Sequence, residues 1–241
     1  MRKGFRYLPV LLAFSMLFNA GCTAVGTEKP EQPEKPVVTS TPTPAESSTP
    51  SGNKKDSESE AEKVKKEYTV EEAAYESFSS FIKEYYFKSK IEDYGIFKDL
   101  NFWDQAEIYE IVIDAYEHTG DERYYKMINE IFDGFRKKHG ENFAWNEFND
   151  DIMWITIGFT RAYKDTGNKA FLDSAVEHFN LVWDRAWSED LGGGLFWRIE
   201  NTTKNACINC PAAIAACLLG EATEDDSYYE KAVKIMDWVV A

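Results

Sequence analysis

The sequence predicts an all-α fold, a toroid of helical hairpins, on three observations. A turn motif recurs three times: Thr119-Gly120-Asp121-Glu122-Arg123-Tyr124-Tyr125, Thr166-Gly167-Asn168-Lys169-Ala170-Phe171-Leu172 and Thr223-Glu224-Asp225-Asp226-Ser227-Tyr228-Tyr229. Downstream of each copy, apolar residues keep one register: Ile128, Ala175 and Ala232, then Phe132, Phe179 and Met236, then Phe135, Val182 and Val239. These offsets trace one face of a helix with a period of about 3.6 residues. Lastly, no strand-rich stretch competes, and links such as 185–205 are longer and less regular than the loops of a compact solenoid. That combination favours a closed toroid over an open solenoid.

In chain order, Met1-Arg2-Lys3-Gly4-Phe5-Arg6 is a basic head, and 7–18 is an apolar run too short for a typical membrane span. The run ends in Asn19-Ala20-Gly21-Cys22, which resembles the lipobox of bacterial lipoproteins, with Cys22 as the lipidated residue. Asn19 stands where an aliphatic residue is usual, and an ordinary cleaved signal is the alternative reading. Segment 23–66 is dominated by Pro, Ser, Thr, Glu and Lys, cannot bury enough apolar surface to order itself, and is expected to be a solvated tether. The folded part is then 67–241, with helices expected at about 70–87, 103–118, 121–138, 150–165, 169–184, 206–221 and 225–240 by periodicity and end signals. Ala115-Tyr116 and Ala162-Tyr163 close helices, Gly120 and Gly167 stop them, and Asp121 and Asn168 cap the next.

Most of the 16 Phe, 13 Tyr and 7 Trp fall in 67–241, enough for a sizeable core. The balance of 27 basic against 42 acidic residues, net −15, argues against nucleic acid, which needs Lys and Arg clusters. It equally disfavours polyanionic polysaccharides and leaves a neutral partner. Cys207-x-x-Cys210 has the spacing of half a zinc site or a redox pair, but no second Cys or His pair follows. Its flanks resemble a buried small-residue helix, so no metal or cofactor is expected. A Cys207–Cys210 disulfide stays open in an exported chain.

Four clusters carry chemistry. Asn149-Asp150-Asp151 opens the fourth helix, where a cap followed by first-turn acids is one reading. The other is a glycosidase pair: consecutive Cα atoms lie about 3.8 Å apart, so the carboxyls can reach the roughly 5 Å separation of a retaining enzyme. Mutual repulsion would separate an acid from a nucleophile. Ser188 to Trp197 contains Gly192-Gly193-Gly194; without Gly-Lys-Ser/Thr it is no phosphate loop, and close packing beside aromatic sugar platforms fits better. Trp187 and Trp197 flank these glycines and are the candidates for sugar stacking. The run from Lys204 through Asn205 to Asn209 places the two asparagine amides at a helix start, suited either to sugar hydroxyls or to capping.

Together, Asp150-Asp151-x-x-Trp154, the two Ala-Tyr-x-x-Thr-Gly segments, Gly192 to Trp197, and Lys204-Asn205 with Asn209 resemble glycoside hydrolase family 76, over about 103–238. The resemblance implies an (α/α)6 barrel, an endo-α-1,6-mannanase activity by a retaining paired-aspartate mechanism, and a neutral α-mannan substrate. It implies Asp150 as nucleophile and Asp151 as general acid/base, with Trp154, Trp187, Gly193, Gly194, Trp197, Lys204, Asn205 and Asn209 binding substrate. Ile155 stands where the family often has a second Trp, and Cys210-Pro211 is also atypical, which leaves the subsites less defined than the reaction. Twelve helices at this repeat spacing need on the order of 300 residues. Only about seven are counted, so the chain is expected to be a fragment of a longer enzyme, monomeric when full length, or else a degenerate member. Different readings are another (α/α)6 carbohydrate enzyme, such as an unsaturated-uronyl hydrolase or a sugar epimerase, and a non-catalytic glycan-binding lipoprotein or helical adaptor. The lipid anchor would hold the protein at the outer face of the bacterial cell membrane.

Overall fold

Residues 67–241 are described by the computed structural model; the signal-like run ending at Cys22 and the stalk-like segment 23–66 lie outside the described residues. Seven α-helices occur among the described residues: α1 (Val70–Tyr85), α2 (Phe102–Thr119), α3 (Glu122–His139), α4 (Asn149–Thr166), α5 (Lys169–Ala186), α6 (Ala206–Thr223) and α7 (Asp226–Val240). Thr69 with Glu72 and Asn101 with Asp104 form capping boxes that satisfy the first N–H groups of α1 and α2.

The repeated turn has a hydrogen-bond logic. Thr119 and Thr166 turn their hydroxyls back onto the carbonyls of Ala115 and Ala162, at 2.6 and 2.7 Å, and accept the N–H of Asp121 and Asn168 at 3.2 Å. Gly120 and Gly167, at φ of 66° and 70°, take the left-handed conformation that ends each helix. Asp121 and Asn168 then cap α3 and α5. In the third copy Glu224 occupies that left-handed position at φ 56°, which costs roughly 1–2 kcal/mol relative to glycine.

The expected helix over 70–87 ends two residues early. Tyr86–Lys88 (β1) pairs antiparallel with Gly95–Phe97 (β2) in a small hairpin. Tertiary contacts override helical propensity here. The Tyr86 hydroxyl donates to Glu130 Oε2 at 2.5 Å, Lys88 pairs with the other Glu130 oxygen, and Gly134 lies so close to the Gly95 carbonyl that a Cβ there would sit 1.9 Å from it.

Three hairpins, α2/α3, α4/α5 and α6/α7, follow the β-hairpin. Besides its hairpin partner, each inner helix packs on the next: α2 on α4, and α4 on α6. The fold is thus the α/α-toroid type, with α2, α4 and α6 inside and α3, α5 and α7 outside. The core between the layers is aromatic, with Phe102, Phe132, Phe135, Phe159, Phe171 and Phe179 buried and several rings meeting edge to face, such as Phe132–Phe159 at 4.9 Å. Each such ring contributes roughly 1.5–3 kcal/mol by burial. Helix α6 is apolar, and its small residues Ala212, Ala213, Ala215 and Ala216 are buried against its neighbours. This order of elements brings the starts of α2, α4 and α6 and the ends of α3, α5 and α7 to one end of the array.

Candidate active site

That end carries the paired aspartates, and the start of α4 is built by the loops around it. Phe148 is its N-cap and makes no side-chain cap hydrogen bond, so the segment is not an Asn-capped terminus. Asn149 is fully buried and reaches sideways instead: its Nδ2 donates to the Phe196 carbonyl at 2.8 Å, and its Oδ1 accepts from Arg185 Nε at 2.6 Å. The Asn149 N–H donates to the Trp197 carbonyl at 2.9 Å. Asn146 accepts the Phe148 N–H through Oδ1 and donates from Nδ2 to Asp151 Oδ2 at 3.1 Å.

Asp150 and Asp151 therefore differ in surroundings. Asp150 Oδ2 accepts the Trp197 indole N–H at 2.8 Å, while Oδ1 is buried with no hydrogen-bond partner. A buried carboxylate oxygen without a partner is rare and calls for a reason, and a reacting group supplies one. Burial raises the Asp150 pKa, and the indole bond, then the first-turn N–H groups of residues 150 and 151, oppose the rise and favour the anion. Asp151 is raised to about 6, first by burial and then by the charges of Asp150 and Asp104, with the Asn146 bond opposing. Both carboxyls are raised by burial, but Asp150 is opposed by an indole and first-turn N–H groups, whereas Asp151 is opposed by one amide and also feels the charge of Asp150. That division suits a nucleophile beside a general acid.

The glycine-rich segment supports this end rather than cradling an anion. Lys204 Nζ donates to the carbonyls of Ser188, Asp190 and Gly193 at 2.6 to 2.7 Å, drawing the turn into a closed loop. Asn205 caps α6 by accepting the Ile208 N–H at 3.3 Å. Asn209, fully buried, accepts the Leu195 N–H at 2.8 Å and donates to the carbonyls of Leu195 and Asn205. Of the two roles expected for these amides, capping and loop support account for the hydrogen bonds seen. Gly194, at φ 83°, lies under Trp238 so closely that a Cβ would meet the indole at 2.6 Å. Gly193 abuts the edge of Trp187, which stacks on Trp183 at 4.7 Å and 14°. Trp154 lies one turn beyond the aspartates, half-buried against the core. The structure thus brings Asp150, Asp151 and Trp197 into contact, with Trp154 one turn on. Lys204, Asn205 and Asn209 form the scaffold behind them.

Two supporting residues had no distinct sequence signal. Arg185, in the last turn of α5, reads as a simple complement to the helix dipole. Its guanidinium holds the Ala144 and Asn146 carbonyls at 3.2 and 2.9 Å as well as Asn149, fixing the loop that feeds α4. Asn146 is one loop asparagine among several until its bond to Asp151 is seen. On α2, Glu107 accepts the Trp103 indole N–H at 3.1 Å, and burial raises its pKa. Among the described residues no group of three or more His, Cys, Asp and Glu is arranged to hold a metal ion. Cys210 and Cys217 are free thiols, so the Cys207–Cys210 disulfide left open by the spacing does not form; residues 207 and 210 sit on the helix α6 as expected of its small-residue flanks.

Comparison with known proteins gives a consistent picture. The family model described as glycosyl hydrolase family 76 matches residues 69–241. Mannan endo-1,6-alpha-mannosidase DFG5 of Saccharomyces cerevisiae is 28% identical over 169 residues, covering 61% of this chain and 35% of that protein. The structure of an alpha-1,6-mannanase from Salegentibacter sp. HEL1_6 superposes with a TM-score of 0.61 at 31% identity, covering 69% of this chain and 50% of that one. An inactive variant of that mannanase, with two consecutive aspartates changed to asparagine and alpha-1,6-mannotriose bound, gives a TM-score of 0.61 at 29% identity, with 69% and 50% covered. This chain therefore spans half the length of the mannanase and about a third of the yeast protein.

Proposed function

The chain belongs to glycosyl hydrolase family 76, and on that premise we propose that it is a retaining, endo-acting glycosidase for α-1,6-mannosidic linkages in a neutral mannan. The observation that carries the reading is the asymmetric pair itself: Asp150 with one oxygen tethered and the other unpartnered, beside an Asp151 raised to about 6. The inactive mannanase variants have two consecutive aspartates replaced. Among the described residues the other Asp-Asp pair, Asp225-Asp226, is exposed and caps α7, which favours Asp150-Asp151 as the reacting pair.

In the first step Asp150 Oδ1 attacks the anomeric carbon while Asp151 gives its proton to the departing glycosidic oxygen. A covalent β-mannosyl ester forms on Asp150 and the leaving chain departs as an alcohol. In the second step Asp151, now a carboxylate, takes a proton from water as that water attacks the same carbon, releasing Asp150 and an α-configured product. The indole bond favours the Asp150 anion that attacks, and burial together with the Asp150 charge favours the protonated form of Asp151 that gives up its proton. Proton NMR of the first product formed from an α-1,6-mannooligosaccharide tests this. The α anomer is expected at early times; a β anomer first, or no cleavage of α-1,6-mannan, overturns the reading.

The reading extends to the rest of the chain: 1–22 as a lipoprotein signal, lipidation at Cys22, 23–66 as a tether and 67–241 as α/α-barrel glycosidase sequence. The protein is then exported and anchored by lipid to the outer face of a bacterial cell membrane, acting as a monomer without a cofactor. The basic head, the apolar run and the Ala-Gly-Cys ending support this.

A further inference from the structure

Of the seven tryptophans, Trp145 alone is exposed, at 58% of its surface, while the other six are at least half-buried. It is nonetheless held rigidly. Its indole N–H donates to the His139 carbonyl at 2.8 Å, so the ring's one polar group is directed inward. One side lies near-parallel to the His139 ring, 6.0 Å away at 21°, and the edge of Phe102 supports it at 5.9 Å and 80°. Those supports are themselves fixed: Phe102 meets Phe135 and Phe143 edge to face, and Gln105, fully buried, bridges His139 and the carbonyls of Leu100 and Asn101. What remains toward solvent is an apolar ring surface of fixed orientation.

The position of this surface gives it a ligand. Asn146, the next residue, donates to Asp151, so the Trp145 Cα lies about 3.8 Å from that of a residue bonded to the acid/base pair. Trp197 reaches the pair from the α5–α6 loop, and Trp145 lies in the α3–α4 loop that leads into it. We propose that Trp145 is the stacking platform of a distal subsite, taking the C–H face of a neutral hexopyranose in a polysaccharide chain laid across Asp150 and Asp151. This rests on the mannanase reading and deepens it. A pyranose presents apolar C–H groups that a flat indole matches through dispersion over many small contacts, without any charge. Trp145 turns its indole toward His139 and Phe102 while the adjacent Asn146 turns toward Asp151, so the sugar on Trp145 is separate from the one being cleaved, and the platform favours long chains over short ones.

The test measures kcat/KM on α-1,6-mannooligosaccharides of graded length in the full chain, with melting followed by circular dichroism. In Trp145→Ala the preference for mannohexaose over mannotriose is expected to fall about tenfold, with the loss in KM. Trp145→Tyr, which keeps a flat ring, retains most of it. An unchanged length preference in both variants, or an equal loss at every length, overturns the platform and leaves the mannanase reading intact. If the unsubstituted chain cleaves no α-mannan, the underlying reading fails and the subsite with it. Should Trp145→Ala melt early, the Tyr variant and a Trp145→Leu variant, apolar but without a flat face, decide by the same ratio.

Discussion

The indole N–H of Trp197 donates to Asp150 Oδ2 at 2.8 Å across 47 residues of sequence, tying the segment after the glycine turn to the first turn of α4. This bond holds one carboxylate oxygen and leaves the other unpartnered. Trp197→Phe removes the donor while keeping an aromatic ring against Phe148. Hydrogen bonds to charged groups are worth about 1.5–3 kcal/mol, or on the order of 10- to 100-fold in rate. A loss of kcat/KM in that range is expected. With its anion less stabilised, Asp150 takes up a proton at higher pH, so the acidic limb of the pH profile moves up. Steady-state kinetics from pH 4 to 8 measure both; a fall in rate with an unmoved acidic limb would assign Trp197 to substrate contact alone.

Asp151 predicts an exchange of activity for stability. Its pKa is about 6 in the folded chain against an ordinary value near 3.8. A folded-state pKa above the unfolded one means that the fold binds the proton more tightly, so Asp151 disfavours folding as pH rises from about 4 to 6. Above that window the cost stays constant, on the order of 1–3 kcal/mol. Asp151→Asn removes the charge and can still accept the Asn146 N–H. It is expected to be inactive yet to melt about 2–6 °C higher at pH 7.5, with the difference vanishing near pH 4. A variant less stable than its parent at pH 7.5 contradicts the argument.

Much of the fold is legible in the sequence because its signals are local. The Thr-Gly-Asp/Asn turn states its own hydrogen bonds, and the apolar register states which face is buried. The β-hairpin is not legible: three residues a strand carry too little pattern, and Glu130 and Gly134 stabilise it from some forty residues away. The site divides the same way. Two adjacent carboxyls can be read as an acid and a nucleophile, but which neighbours tune them depends on contacts between distant loops. Lys204, Asn205 and Asn209 have the chemistry of sugar ligands and turn it inward, onto carbonyls and N–H groups of the glycine segment. Arg185 shows the converse, since nothing local marks a helix-end arginine as the residue that holds Asn149 and the Asn146 loop.

The glycines of that segment give a pair of unequal substitutions. Gly194 combines a φ of 83° with a would-be Cβ 2.6 Å from Trp238, whereas Gly192, at φ 85°, has nothing within 4 Å. Gly192→Ala is expected to cost only the backbone strain, roughly 1–2 kcal/mol. Gly194→Ala adds overpacking of about 1–3 kcal/mol against a ring whose indole N–H is bound to the Leu191 carbonyl. Urea titrations of the two variants read the difference directly. Equal midpoints would mean that Trp238 swings away freely and does not hold the loop.

The last prediction separates the roles of the two aspartates. With Asp151→Ala the acid is gone, but an activated aryl α-mannoside needs no protonation of its leaving group, so the first step survives and the ester accumulates on Asp150. Azide, a nucleophile that requires no general base, then attacks the ester from the face that the leaving group vacated. The product is an α-mannosyl azide, the anomer of the substrate, formed at a rate that rises with azide concentration. With Asp150→Ala no ester can form, and any azide product can arise only by direct displacement, giving the β anomer. Mass spectrometry of a trapped glycosyl-peptide containing Asp150, together with the anomeric coupling of the azide product, distinguishes the cases. A β azide from the Asp151 variant and an α azide from the Asp150 variant would exchange the two roles. Unimpaired hydrolysis of unactivated α-1,6-mannan by both variants would return the pair to what an acidic first turn is in most helices, a complement to the positive end of the dipole.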